Sequence, residues 1–209
     1  MNRRGFFSKM LNPIPEEYFF GIQIVFLSNA EDNIWENLVR LVKINQESQN
    51  ANHKVNIYHE VVSNLIDVSF SFEYGYWDFI KNEDDSKEEF ESWISAIEES
   101  LPTKKYEMVS SEYDVHRISI RKDFIAITLG FLLNKCENHD KIFINLDNID
   151  EDKYNDNATY VSLLEQVKLI DFEFCNSDCL FIRPGNEEDG LSWEDIHGDG
   201  WEYLVPIFK

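Results

Sequence analysis

Two apolar runs, "YFFGIQIVFL" from Tyr18 to Leu27 and "FIAITLGFLL" from Phe124 to Leu133, constrain this chain more than any other feature. Each is rich in β-branched and aromatic residues, lacks a helical period, and reads as a buried strand. Neither comes near the roughly twenty apolar residues that a membrane-crossing helix needs. Buried strands require covering elements, and the segments between them are patterned as amphipathic helices.

After Asn29, a cap with acids behind it, "EDNIWENLVRLVKI" sets Ile34, Leu38, Leu41 and Val42 on one side with Trp35 and Val39 beside them. Beyond a polar gap, Val55, Tyr58, Val62 and Leu65 share a second helical face. The alternation of Val68, Phe70, Phe72, Tyr74 and Tyr76 with polar or small neighbours predicts a half-buried strand. Ser86 with Glu89 has capping-box spacing, and Phe90, Trp93, Ile94, Ile97 and Leu101 continue that helix to Pro102. "KIFINL" (141–146) is expected to pair as a strand with the run at 124–133, and Tyr160, Leu163, Leu164 and Val167 mark a further helix. "CLFIRPG" is a strand stopped by Pro184 and Gly185, and "YLVPIF" a closing strand. This order lacks regular strand–helix alternation and predicts an α+β fold, a mixed or antiparallel sheet packed against three to five helices. The expected organisation is a flexible basic, proline-containing segment at 1–17 and a single α+β domain at 18–209, with two packed halves (18–121 and 122–209) as the alternative.

The charge balance is unusual. Forty Asp and Glu against nineteen Lys and Arg give a net charge of −21. Such a field repels phosphate backbones and anionic lipid, and draws in cationic proteins at low salt. Nucleic acid and membrane are therefore not expected partners, and solubility alone is the bland account of the charge. The start "MNRRGFFSKML" has too short an apolar stretch for a signal-peptide core. Three Cys at irregular positions, Cys136, Cys175 and Cys179, describe no disulfide framework and point to a reducing cytoplasm.

Three constellations could carry chemistry. Cys136, His139, Cys175 and Cys179 form two soft-ligand pairs that would close a zinc site if their loops met, although small buried thiols are common beside apolar runs. Asp147, Asp150, Asp152 and Asp156 crowd one loop, but the Gly and Glu places of a calcium-binding hand hold Asp152 and Ala158. Ser192, Asp195 and His197 cluster without a nucleophile elbow, and Ser192 with Asp195 has the spacing of a capping box opening a short helix. His53, His59 and His116 have no metal-ligand spacing, and no phosphate-binding Gly loop or other cofactor motif is present, so no cofactor is expected.

"LFIRPGNEEDGLSWEDI" followed by "YLVPI", together with "GIQIVFL", "IYHEVVSNLI", "YGYWDF" and "FIAITLGFLL" in that order, resembles the largely cyanobacterial and plastid family called domain of unknown function 1517, over Ile22 to Ile207. The Gly-rich amino-terminal region and membrane segment usual in that family are missing here. The resemblance implies an α+β domain with an interaction role and transfers no catalytic residue.

The expectation is a non-enzymatic protein whose acidic surface binds a basic protein, as a regulatory adaptor or an immunity-type inhibitor of a nucleic-acid-acting toxin. "NEEDGLSWEDIHGDGWE" holds seven carboxylates and no Lys or Arg. Its Glu187, Glu188, Asp189, Glu194, Asp195, Asp199 and Glu202 form the first candidate docking set, with Trp193 and Trp201 as apolar anchors. Glu83, Asp84 and Asp85 belong to a second set that continues into Glu88 and Glu89. A zinc-dependent hydrolase built on Cys136, His139, Cys175 and Cys179 is the alternative. A homo-oligomeric structural protein with no charged partner is the third reading.

Overall fold

Both apolar runs are strands and lie side by side. The chain runs β1 (Glu17–Leu27), α1 (Ile34–Glu47), α2 (Ala51–Asp67), β2 (Phe72–Ile80), α3 (Glu83–Ser100), β3 (Phe124–Asn134), α4 (Glu137–Asp147), α5 (Asn157–Val167), β4 (Cys175–Arg183), α6 (Trp193–Ile196) and β5 (Val205–Pro206). The computed structural model describes residues 16–100, 121–198 and 200–209, the side chains at 83 and 98–100 excepted. The start of the segment expected at 1–17, Leu101, Pro102, His116, Asp199 and the side chain of Glu83 thus lie outside the described residues.

The sheet has the order β4-β3-β1-β2-β5, and every neighbouring pair is antiparallel. β1 and β3 pair along their whole length, from Glu17 opposite Asn134 to Leu27 opposite Phe124. The fold is α+β, as the order of patterns predicted, with six α-helices among the described residues, the sixth a single turn.

Because side chains alternate across a strand, β1 and β3 each present two apolar faces. On the first face, Phe20, Ile22 and Ile24 of β1 meet Ile127, Leu129 and Phe131 of β3 under α1, α2, α4 and α5. These helices contribute Leu38, Tyr58, Phe143 and Leu163 to one continuous core. On the second face, Val25, Phe124 and Ala126 pack with Leu191, Ile196 and Trp201 of the carboxy-terminal segment, while α3 lies across β1 and β3.

Four local expectations need correction. α1 begins after Asn33, which takes a left-handed backbone (φ 63°) that Asn tolerates, so Asn29 belongs to the preceding turn. The alternation from Val68 breaks because Ser69–Ser71 is a single 3-10 turn, which leaves Phe70 62% exposed. A register shift at Val25/Phe26 then places Phe72 in the first-face core and Tyr74 and Tyr76 on the second face. α3 starts three residues before Ser86, whose hydroxyl donates to the Ile80 carbonyl, so Ser86 and Glu89 form no capping box. "KIFINL" is not a strand but the body of α4, since His139, Ile142, Phe143 and Leu146 recur at helical spacing and bury together. β3 pairs with β1 and β4 instead.

Candidate functional site

The second face owes its shape to glycine. Gly21 and Gly130 sit opposite each other in β1 and β3, and a Cβ at Gly21 would stand 2.7 Å from the Trp93 ring. The bare backbone therefore lets Trp93 of α3 press onto the sheet, where it meets the Phe19 ring edge-on at 5.4 Å and lies 5.8 Å from that of Tyr76. Trp93 Nε1–H donates to Glu89 at 2.8 Å, one turn earlier.

The opposite wall is the carboxy-terminal segment. The Asp123 and Phe124 amides donate to the Leu191 carbonyl at 3.0 Å, which anchors the segment to the start of β3. Ser192 and Asp195 then form the expected capping box around α6, the Ser192 amide donating to the Asp195 carboxylate at 2.7 Å and the Asp195 amide to the Ser192 hydroxyl at 3.3 Å. Trp201 is 9% exposed, with the Arg183 guanidinium 5.9 Å from its ring.

Between α3 and this segment opens a cavity of ≈ 240 Å³ whose walls include Trp93, Tyr76, Tyr203, Trp201 and Phe181. Its floor is a hydrogen-bonded chain: Tyr203 donates to Gln23 Oε1 at 2.7 Å and Gln23 Nε2 donates to Thr128 at 3.0 Å. Gln23 and Thr128 are buried, and burial raises the pKa of both Tyr76 and Tyr203, so the two phenols are neutral hydroxyls near pH 7. Glu89 supplies a carboxylate to the lining, and Glu202 accepts from the amide of the lining residue Gly200 at 2.8 Å.

The acids marked out by sequence are divided by the fold. Asp85 and Glu88 are exposed on α3, Asp85 four positions before Glu89 and Glu88 four before Ser92, so each stands one turn from a residue that lines the cavity. Asp84 is exposed as well. Glu194 and Glu202 are exposed on the carboxy-terminal side, and hydrogen bonds from its own backbone amide and from Ser192 hold the Glu194 carboxyl below the ordinary glutamate range, with Arg121 adding to the effect. Glu187 and Glu188 are also exposed, but they sit on the loop at the end of the sheet, where Glu187 borders a groove shared with Trp35 and Glu36 of α1. Asp189 turns inward: it is 6% exposed and accepts from the Gly185 amide at 3.2 Å and the Gly190 amide at 2.9 Å, which closes that loop. Of the two anchoring Trp, Trp201 is core, whereas Trp193 is 44% exposed over Phe124 and stacked on His197.

The zinc set does not assemble, and among the described residues no three His, Cys, Asp or Glu are placed to hold a metal ion. His139 is buried on the first face with both ring nitrogens engaged, Nδ1–H donating to the Asn134 carbonyl at 2.7 Å and Nε2 accepting the Asp171 amide at 3.1 Å. Burial holds its pKa below the ordinary histidine value. Cys179 lies on the other face of the sheet, beside Phe90 of α3. Burial pushes the thiols of Cys175 and Cys179 up to about 12, which keeps them protonated and poor as ligands or nucleophiles. Cys136 stands just before α4, and Asp147 and Asp150 pair with Lys81 and Lys153. Ser192 donates its hydroxyl to Asp195 at 2.8 Å, and His197 bonds the Trp193 carbonyl through Nδ1 at 2.8 Å, so these three residues form no nucleophile–base relay.

Sequence reasoning missed two features. One is the cavity, whose walls come from β1, β2, α3, β3, β4 and the carboxy-terminal segment and meet only through the topology. The other is Asp178, which faces the first-face helices from β4. It pairs with Lys54, accepts from Tyr58 at 2.8 Å and accepts from Asn45 at 3.1 Å. A charged residue two and four positions before the apolar Leu180 and Ile182, and so on their inward face, was its one sequence signal. No family model, curated protein or solved structure matches the chain.

Proposed function

We propose that this chain is a non-enzymatic acidic docking protein that binds a basic protein partner through the second face of its sheet, as a regulatory adaptor or an immunity-type inhibitor of a nucleic-acid-acting toxin. One observation carries the reading: the acidic side of α3 and the acidic carboxy-terminal segment, remote in sequence, flank the same cavity. Glu89 lies in the lining, exposed Asp85 and Glu88 each stand one helical turn from a lining residue of α3, Glu202 accepts from the amide of the lining residue Gly200, and exposed Glu194 lies on α6 of the same segment. Exposed Trp193 supplies an apolar anchor at the acidic rim. A net charge of −21 adds long-range attraction for a cationic surface and repulsion for nucleic acid. No helix among the described residues is long and apolar enough to cross a membrane. The free Cys136, Cys175 and Cys179 accord with a reducing cytoplasm as the working compartment.

The test compares neutralisation of Asp85, Glu88, Glu194 and Glu202, as amides, with neutralisation of Glu36, Glu47, Glu151 and Asp152, which lie on or between first-face helices. Both variants change net charge equally. Affinity for an arginine- and lysine-rich peptide, measured from low to physiological salt, should fall about tenfold or more for the first and only slightly for the second. Equal losses would reduce the charge to a general field and overturn a docking face.

A further inference from the structure

Resting on that docking face, we infer that the cavity between α3 and the carboxy-terminal segment is the anchor pocket for one arginine side chain of the basic partner. Its lining is rich in aromatic residues, Tyr76, Trp93, Phe181, Trp201 and Tyr203, whose rings attract cations through their quadrupole. Its polar groups are rich in acceptors: the Glu89 carboxylate and the hydroxyls of Ser92, Tyr76 and Thr128 answer the planar five-donor fork of a guanidinium. The volume of ≈ 240 Å³ suits a single long side chain and not an extended peptide. Among the described residues, the charged side chains that line the space are Glu89 and Arg183, with Glu202 beside Gly200. Arg183 is held against Trp201, so the cavity already uses one wall for a guanidinium–indole contact and leaves Trp93, Tyr76 and Tyr203 to a second. Arginine is preferred to lysine because a weakly hydrated planar cation loses less on entering an aromatic slot than a compact ammonium.

The experiment uses the full chain and an acetylated, amidated octapeptide alternating Gly and Arg, with lysine and neutral citrulline versions as probes. Binding is followed through the indole N–H resonances. Those of Trp93 and Trp201 should shift on titration, while that of Trp35, whose Nε1–H bonds the Pro184 carbonyl, should stay still. The arginine peptide should bind about fivefold more tightly than the lysine peptide and more than about tenfold more tightly than the citrulline peptide. Ala96→Phe, a substitution at an exposed lining position, should fill the pocket and erase the preference for arginine over lysine. Glu89→Gln, which keeps an acceptor for Trp93, should reduce it without blocking the space. Arginine preference that survives both variants, equal binding of arginine and lysine, or unmoved Trp93 and Trp201 resonances would each overturn the pocket. If the four-carboxylate neutralisation weakens binding while Ala96→Phe changes nothing, the docking face stands and the pocket falls. If neither alters binding, the docking face falls with it.

Discussion

Alanine substitution at the two facing glycines, Gly21 and Gly130, should give opposite outcomes despite one register and one sheet face. A Cβ at Gly21 would lie 2.6 Å from Phe19 and 2.7 and 2.9 Å from Trp93, about 0.5–0.8 Å inside ordinary contact. Phe19 is fully buried and Trp93 is 9% exposed, so neither ring can swing into solvent. Such overpacking costs about 1–3 kcal/mol. Reduced freedom of the unfolded chain returns only about 0.4–1 kcal/mol. The net loss for Gly21→Ala is therefore about 1–2 kcal/mol, or a Tm lower by about 2–8 °C at this chain length. At Gly130 the same atom meets Cys179 Sγ at 3.6 Å and Phe90 at 3.8 Å, which is ordinary packing. Gly130→Ala should be neutral or stabilising by up to about 1 kcal/mol. Urea unfolding of both variants, followed by far-ultraviolet circular dichroism and by tryptophan emission, reads the difference directly. Equal midpoints for the two would refute the close seating of α3 on the sheet, and with it the geometry of the cavity.

Two further outcomes follow from buried polar groups. His139 has a folded pKa below its ordinary value because of burial, so between the two values the unfolded chain binds more protons. Its contribution is complete above about pH 6.5 and is lost as pH falls through the folded value. His139→Leu should flatten that part of the stability–pH curve and, by stranding the Asp171 amide and Asn134 carbonyl, cost about 2 kcal/mol at neutral pH; an unchanged acid limb in pH-dependent urea titrations would contradict this. Asp178→Asn should cost about 2–4 kcal/mol in urea unfolding, because it leaves the Lys54 ammonium, 18% exposed, without its counter-charge. A loss below about 0.5 kcal/mol would make the Lys54–Asp178 pair a solvent-screened one.

Features with a strong local period were legible in the sequence. The inward faces of α1, α2 and α5 followed from Leu38, Tyr58 and Leu163 at helical spacing, and the capping box at Ser192 followed from Asp195 three positions on. Short segments failed where tertiary packing overrode the pattern. Six residues of "KIFINL" look like a strand in isolation, but the apolar positions of α4 extend back to His139, whose polar ring hid the period. The register of β2 depended on an irregularity opposite Val25 and Phe26 that no alternation in Val68–Tyr76 could announce. The candidate site was half legible. Charge density marked the α3 and carboxy-terminal acids, whereas composition could not tell exposed Glu202 from buried Asp189, because that distinction rests on the Gly185 and Gly190 amides of a closed loop. The meeting of Gln23, Trp93, Thr128 and Tyr203 around one space was hidden altogether, since it arises from strand order.

Hydrogen–deuterium exchange of the full chain, with and without a saturating arginine-rich peptide at physiological salt, tests the central claim most directly. New protection confined to α3 and to residues 191–204, with α1, α2, α4 and α5 unchanged, is the predicted footprint. Protection centred on those four helices, or spread evenly over every acidic segment, would contradict a docking face on the second side of the sheet.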